Sequence, residues 1–458
     1  MAGLRAFLRE AAGGVRVVER PIGVRHEATA LQHALGRLGL FPVLWLARPR
    51  LADGSVSTFT AVTNLTASRE TTARALGLSH HTRAAEEIAE RCRRPLAPVV
   101  VAREEAPVKE VARDAGSLDG LPVFTQHEAD AGPYLTAAHA TTYDPDTGVD
   151  NTAIQRVWAR TGAELPFFPY PASHNRANIM KFWERGEKAP IAFWIGHHPA
   201  VSVGAQAKLS YPESHWGEAG ALAGEPVRLV PTDLHGERLL VPAEAEIVLE
   251  GHVPPHRLVP EGPFGEYTGY AGEATSSPVF VLERITQRRD AVYHDHGSGL
   301  PDALVPDNMM IEARLLGLAR QVFPGVRNVH VPLSGRRFLA YVQTEELDPA
   351  TAREVLRACL EYRRVKLVVL VGADVDVFDE TQVLWAVATR AQMDRDALML
   401  SGLPGSLLDP SLGPGATTTS KLGIDATWGG LSRPPTSRVP EGTWRAPGLL
   451  AALGELDR

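Results

Sequence analysis

Two cysteines in 458 residues, Cys92 and Cys359, are too few and too far apart for a disulfide framework. No Cys-x-x-Cys pair offers a cysteine zinc site, and a reducing compartment fits. Long apolar runs are also missing: none approaches the ~18–20 residues of a membrane-spanning helix. The first residues, MAGLRAFLREAAGG, place Leu4, Phe7, Leu8 and Ala11 on one helix face but lack the unbroken apolar core of a signal peptide. A cytoplasmic protein is expected. Basic excess is absent too, with a net charge of −7 and no basic patch. That argues against nucleic acid as the main partner and leaves room for a local anion pocket. Internal repeats and low-complexity tracts are lacking. What remains is an ordinary soluble composition, 44% hydrophobic and 22% charged, long enough for roughly two to four domains.

Three regions differ in texture. Residues 1–115 alternate a helix at 26–38, an apolar strand FPVLWLA (41–47), a strand STFTAVTNL (57–65) and helices at 68–77 and 81–93, which reads as an α/β domain. Gly and Pro between Gly116 and Pro122 mark a boundary. Residues 116–304 carry short β-rich runs (VSVGAQ, VRLVPTDL, LLVPAEAEIVLEGHV, SPVFVLERITQ, DAVYHDH), interrupted by one helix at 174–184. This predicts a barrel or sandwich-like β domain. Residues 305–458 return to α/β, with helices at 305–322, from 349 behind an Asp348 cap, and after Asp379. VKLVVLV (365–371) reads as a strand buried on both faces. The last ~45 residues, rich in Gly, Pro, Ser and Thr, read as a long ordered tail or loop.

Four segments carry chemistry. EGPFGEYTGY (261–270) sets Glu261 and Glu266 five apart across Gly262, Pro263 and Gly265. Two carboxyls held together and buried split their pKa values, so one can donate a proton near neutrality. A solvent-exposed acidic turn has the same composition. VDNTAIQRVWARTG (149–162) offers Asn151 as an oxygen ligand and Arg156 as a permanent cation, or simply a capped surface helix. In FPYPASHNRANIMKFW (168–183), His174 stands where a Pro-rich turn enters a helix, as a metal ligand or a packed helix start. GPGATTTSKLGIDAT (413–427) presents Lys421 after hydroxyl-bearing residues, a loop suited to phosphate although not a Walker A loop.

Together these segments match one family in order and spacing. The chain resembles the UbiD-like decarboxylases, which include ubiquinone-pathway and ferulic acid decarboxylases. The similarity runs from LRAFLREA near the start to SKLGIDAT, through QHEADAGPYLT (126–136), DNTAIQR (150–156), LLVPAEAEIVLEG (239–251), EGPFGEYTGY and ITQRRDAVYH (285–294). The resemblance implies an N-terminal α/β domain, a central flavin-reductase-like split β-barrel and a C-terminal α/β oligomerisation domain. It implies prenylated FMN as covalent catalyst, supplied by a separate flavin prenyltransferase. A divalent metal, manganese by preference, accompanies it, and potassium is a further ion the resemblance admits. The implied reaction is a reversible, non-oxidative decarboxylation of an α,β-unsaturated, aromatic or heteroaromatic acid by a homodimer or homohexamer. A flavin-binding protein with a redox or storage role is the alternative, although mere binding needs no acid–arginine–acid network.

Carried over by position, the resemblance makes Glu266 the proton donor and Glu261 and Arg156 its network partners. Asn151 and His174 become metal ligands, and Lys421 a cofactor contact. Thr152, Ala153, Ile154, Arg156 and Ser173 line the same site. One position departs from the family. Its third metal ligand is a glutamate nine residues before a glycine, and nine before Gly224 stands His215. Either His215 replaces that glutamate, or a local shift brings in Glu213 or Glu218. His294 and His296, after the last β-run, either face the pocket or are ordinary strand-end histidines.

Overall fold

Leu4 and Phe7 bury one face of the helix Leu4–Glu10 against a four-stranded sheet. The computed structural model describes residues 3–439 apart from 161, 414, 436 and 438. The sheet runs Val15–Val18, Val43–Leu46, Thr60–Thr63, Val292–His294. The predicted helices stand at Glu27–Arg37, Arg69–Ala75 and Ala84–Cys92. Two assignments differ from the sequence reading. Val292–His294, expected in the central β region, pairs parallel with Thr60–Thr63. Parallel neighbours need a long crossover, and here the whole central domain serves as one. Conversely, Val99–Val100 and Val111–Asp114, expected in the first domain, pair with the central strands Arg228–Thr232 and Thr275–Gln287. Strand pairing, which Gly/Pro punctuation does not report, sets where the central unit starts.

That unit is built on an eight-stranded sheet. Its main path is Asp150–Ile154, His139–Tyr143, Ala189–Ile195, Ile247–Val253, Thr275–Gln287, Glu164–Pro166, and Leu258–Glu261 also pairs with Thr275–Gln287. Phe167, Phe193 and Phe280 meet in its core. VSVGAQ is not a strand but most of the helix Pro199–Gly204. Every residue of this helix is buried, so it shows no amphipathic period to distinguish it from a buried strand. It packs on the helix His215–Ala223 so closely that a Cβ on Gly204 would lie 2.4 Å from Ala219 Cα.

The C-terminal unit is a five-stranded sheet in the order Val326–His330, Leu339–Thr344, Leu367–Gly372, Thr418–Ala426, Ala397–Pro404. Leu367–Gly372 lies in its middle, parallel to both neighbours, as its continuous apolar run predicts. Asp348 and Asp379 cap the helices Pro349–Glu361 and Glu380–Arg390. The 22-residue helix Pro301–Val322 packs on Pro349–Glu361 and on Ala84–Cys92. The presumed loop around Lys421 is a correction: Thr418–Ala426 is a strand paired on both edges. Its threonines and Ile424 are good strand formers, and the Gly/Pro signal belongs to the residues before it. The tail beyond residue 439 lies outside the described residues. Among the described residues, no helix is long and apolar enough to cross a membrane.

Candidate active site

Arg156 leaves the edge strand Asp150–Ile154 and meets a hairpin formed by Phe264–Gly265 and Ala271–Gly272. Its guanidinium forks onto Glu261, Nε donating to Oε1 at 2.9 Å and Nη2 to Oε2 at 2.7 Å. Nη1 donates to Glu266. The faces of the group lie near aromatic rings, Phe168 at 4.6 Å and Phe264 at 4.9 Å. A planar, permanently charged fork is what this geometry requires, and lysine could not supply it. All three side chains are withdrawn from water, at 11%, 0% and 10% exposure for Arg156, Glu261 and Glu266. Burial pushes the Glu266 carboxyl above the usual carboxylate range; Glu261 adds to the shift and Arg156 opposes it. Burial also works against the charge on Arg156, but its two glutamates outweigh that and hold it firmly protonated.

The hairpin is pinned from three sides. Asp130 Oδ1 accepts from Gly265 N at 2.8 Å, while its other oxygen accepts from the amides of Gln126 and His127. Ser298 Oγ donates to Gly265 O at 2.6 Å, and Ala131 N to Pro263 O at 2.9 Å. Gly265 is needed here, because a Cβ would stand 2.3 Å from His127 Nδ1. These contacts fix the backbone immediately before Glu266. Asp130 and Ser298 were not singled out from sequence. Asp130 sits inside QHEADAGPYLT, where its only local signal is an Asx turn.

A second group gathers beside the same edge strand. The helix His174–Glu184 is held on the strand His139–Tyr143 by Thr142, which donates to Asn175 at 2.7 Å and accepts from Asn178 at 3.0 Å. Ser173 caps this helix by accepting from Arg176 N, which sets His174 at its first turn. The helix His215–Ala223 is tied to the strand by Asp150, which accepts from Ser214 Oγ at 2.5 Å and from Trp216 N at 3.1 Å. The rings of His174 and His215 stand edge to face, 6.3 Å between centroids. His215 Nδ1 and Asn151 Nδ2 are buried without a hydrogen-bond partner among the described residues. Burial, with His174 beside it, pushes His215 down to about 3, so its imidazole is neutral. Two imidazoles and the Asn151 amide, which ligates through its oxygen, form a donor set suited to a divalent cation. Glu213 is exposed and accepts from Ser210 N, and Glu218 is buried against Cys92. Of the three candidates, His215 is the one that faces His174.

The remaining predicted residues are placed as follows. Thr152 is fully buried, its hydroxyl accepting from Trp194 Nε1 at 2.9 Å and from Thr141 at 3.0 Å, while Ala153 and Ile154 are half-buried. Lys421 is buried within the C-terminal sheet and donates to the carbonyls of Leu360 at 2.8 Å and Tyr362 at 2.9 Å. A cofactor contact from this side chain would require giving those carbonyls up. His294 ends the strand Val292–His294, and both His294 and His296 are buried. A cluster that sequence reading missed joins the domains: Asp307 is met by Arg364 at 2.9 Å, Arg337 at 3.0 Å and Lys208 at 3.4 Å. Arg337 also lies 4.6 Å from the ring of Tyr267, next to Glu266. No local motif announces this cluster, since its members are separated by 27 residues or more (364 − 337 = 27).

Comparison with known proteins accounts for this arrangement. Three family models match along the chain. They are the 3-octaprenyl-4-hydroxybenzoate carboxy-lyase N-terminal domain over residues 7–92, the Rift-related domain over 99–301, and the C-terminal domain over 307–426. Among solved structures, the chain is similar to the UbiD-class enzyme HmfF from Pelotomaculum thermopropionicum in complex with FMN, at 33% identity and TM-score 0.88, covering 98% of each chain. An evolved dimeric form of that enzyme in complex with prFMN matches at 31% identity and TM-score 0.86, over 97% of this chain and 98% of that one. Vanillic acid decarboxylase from Sedimentibacter hydroxybenzoicus, in closed form, matches at 26% identity and TM-score 0.81, over 99% of each. With all three domains matched in order around a buried Arg156–Glu261–Glu266 network, the chain belongs to the UbiD family of carboxy-lyases.

Proposed function

We propose that this chain decarboxylates an α,β-unsaturated, aromatic or heteroaromatic carboxylic acid without net oxidation, reversibly, with prenylated FMN bound and Glu266 as the proton donor. The observation that carries the reading is a buried carboxyl, raised above its usual range, held by an arginine that a second carboxylate already neutralises. Glu261 keeps Arg156 in place and charged, so Arg156 can hold Glu266 in both protonation states. Protonated Glu266 delivers its proton to the carbon that has lost CO2, and the resulting carboxylate is stabilised by Arg156 until solvent reprotonates it. In the carboxylation direction the same carboxylate removes that proton.

The cofactor, when bound, supplies the electron sink that lets the carbon–carbon bond to the carboxylate break. Asn151, His174 and His215 would hold the divalent ion that accompanies it, manganese being compatible with oxygen and imidazole donors. Backbone from Thr152 to Ile154 and at Ser173 would line the flavin. We read the central unit as the split barrel that holds it, the assembly as a homo-oligomer, and the location as cytoplasmic.

The test is to co-express the chain with a flavin prenyltransferase, confirm the modified flavin by absorbance and mass, and screen unsaturated, phenolic and heteroaromatic acids for CO2 release. Release from at least one class is expected, falling by about 10²–10⁴-fold in Glu266→Gln at equal flavin content. A fully loaded protein that releases CO2 from none of them contradicts the proposal and favours a binding or redox role.

A further inference from the structure

A second group of side chains of metal-ligand type lies apart from the Arg156–Glu261–Glu266 network and the Asn151–His174–His215 group. His294 ends the fourth strand of the N-terminal sheet, His296 follows two residues later, and Asp302 lies in the first turn of the helix Pro301–Val322. One donor atom from each lies within 4.8 Å of the others, and all three residues are buried. The rings of His294 and His296 are perpendicular, 4.6 Å between centroids. His294 is 2% exposed, and neither of its ring nitrogens has a hydrogen-bond partner among the described residues. A neutral imidazole carries one N–H and one lone pair, and native proteins rarely bury both without a partner.

The carboxylate of Asp302 is already aimed. Its Oδ1 accepts from Thr66 N at 2.9 Å and Thr66 Oγ1 at 2.9 Å. Its Oδ2 accepts from Asn64 N at 2.8 Å, but otherwise meets only Thr63 Oγ1 at 3.4 Å, longer than an ordinary O–H···O bond. One lone pair on Oδ2 is therefore weakly engaged, and amides hold the group as outer-shell partners hold a ligating carboxylate.

We propose that His294, His296 and Asp302 form a second metal site, for a divalent transition ion such as zinc, iron or cobalt, separate from the Asn151–His174–His215 group. Two imidazoles and one carboxylate are the donor set such ions take, and the set leaves coordination positions open. A triangle of 4.8 Å sides puts its centre about 2.8 Å from each corner, so side-chain adjustments of under about 0.8 Å reach the usual 2.0–2.2 Å. The two groups stand on different elements: Asn151 on the central sheet, His294 on the N-terminal sheet.

The test uses the full chain, stripped with chelator and dialysed against Co2+ or Zn2+, with metal counted by elemental analysis and Co2+ coordination read from visible absorption. Two equivalents are expected in the wild type. His296→Gln and Asp302→Asn should each lose one equivalent and its cobalt band, and keep the equivalent that His174→Ala loses. His296→Gln reports even where His294→Gln fails to fold. One equivalent that survives His174→Ala and is lost in His296→Gln still supports this site, while counting against the first group. Unchanged stoichiometry and spectra in both His296→Gln and Asp302→Asn overturn the proposal, as does a wild type whose metal uptake is abolished by His174→Ala alone.

Discussion

The two groups flanking the edge strand Asp150–Ile154 are built on opposite plans. Arg156, Glu261 and Glu266 hold one another: one cation meets two carboxylates, and Nε, Nη1 and Nη2 of Arg156 each donate to a carboxylate oxygen. Asn151 stands on the same strand and His174 and His215 on helices packed beside it, yet Asn151 and His215 keep buried polar atoms without partners among the described residues. A closed network holds its geometry alone and is suited to moving one proton repeatedly. An open one is completed by something bound. In the proposed function, acid–base chemistry and cofactor attachment are thus separated along six residues of backbone, from Asn151 to Arg156.

The largest expected effect comes from opening the closed network. Arg156→Ala leaves Glu261 buried without its counter-ion, which costs about 3–5 kcal/mol and is measured by chemical denaturation. CO2 release should vanish with it. Arg156→Lys keeps the charge but not the fork, and should fall between.

Completing the open group gives the next effect. Manganese at 100 times its dissociation constant should stabilise the wild type by about 2.7 kcal/mol, read as a rise in Tm. His215→Ala should lose that rise, and His215→Glu, which restores a negative ligand, should keep it. A full response in His215→Ala would erase the contrast between the groups.

Lys421 sharpens the comparison from outside it. If its amine serves the carbonyls of Leu360 and Tyr362, Lys421→Met should cost about 1–3 kcal/mol in stability and leave flavin affinity unchanged, measured by denaturation and fluorescence titration.

The smallest effect is a pH dependence. Glu266 has its folded pKa raised above the unfolded value, mainly by burial. Its proton therefore stabilises the fold fully below the unfolded carboxyl pKa, and that stability is lost as pH rises through the folded pKa. Glu266→Gln, which never ionises, should show a flatter stability profile across that window and an equal or higher Tm at neutral pH. A steeper decline in the variant would mean that the ionised form is the favoured one.

Local order was legible from sequence where a single segment contains its own signal. The helix from His174, the Asp348 and Asp379 caps and the buried strand in VKLVVLV each follow from spacing, a capping residue or an unbroken apolar run. Contacts between distant segments were not legible. Arg156 and Glu261 lie 105 residues apart, and only a resemblance joined them before the fold did. Asp130, Ser298 and the cations around Asp307 escaped notice for the same reason. So did the return of Val292–His294 to the N-terminal sheet. Pro199–Gly204 was misread for a different reason: a helix buried on every side shows no periodicity at all.

The most direct test of the central claim is exchange at the reacting carbon. Wild type and Glu266→Gln, loaded to the same prenylated-flavin content, are incubated in D2O with the decarboxylation product, and deuterium entering the position that carried the carboxylate is followed by NMR. If Glu266 moves the proton, the wild type exchanges that position and Glu266→Gln slows exchange by about 10²-fold or more, with its fold and flavin unchanged. Equal exchange in the two proteins would contradict the assignment and give the proton to another group.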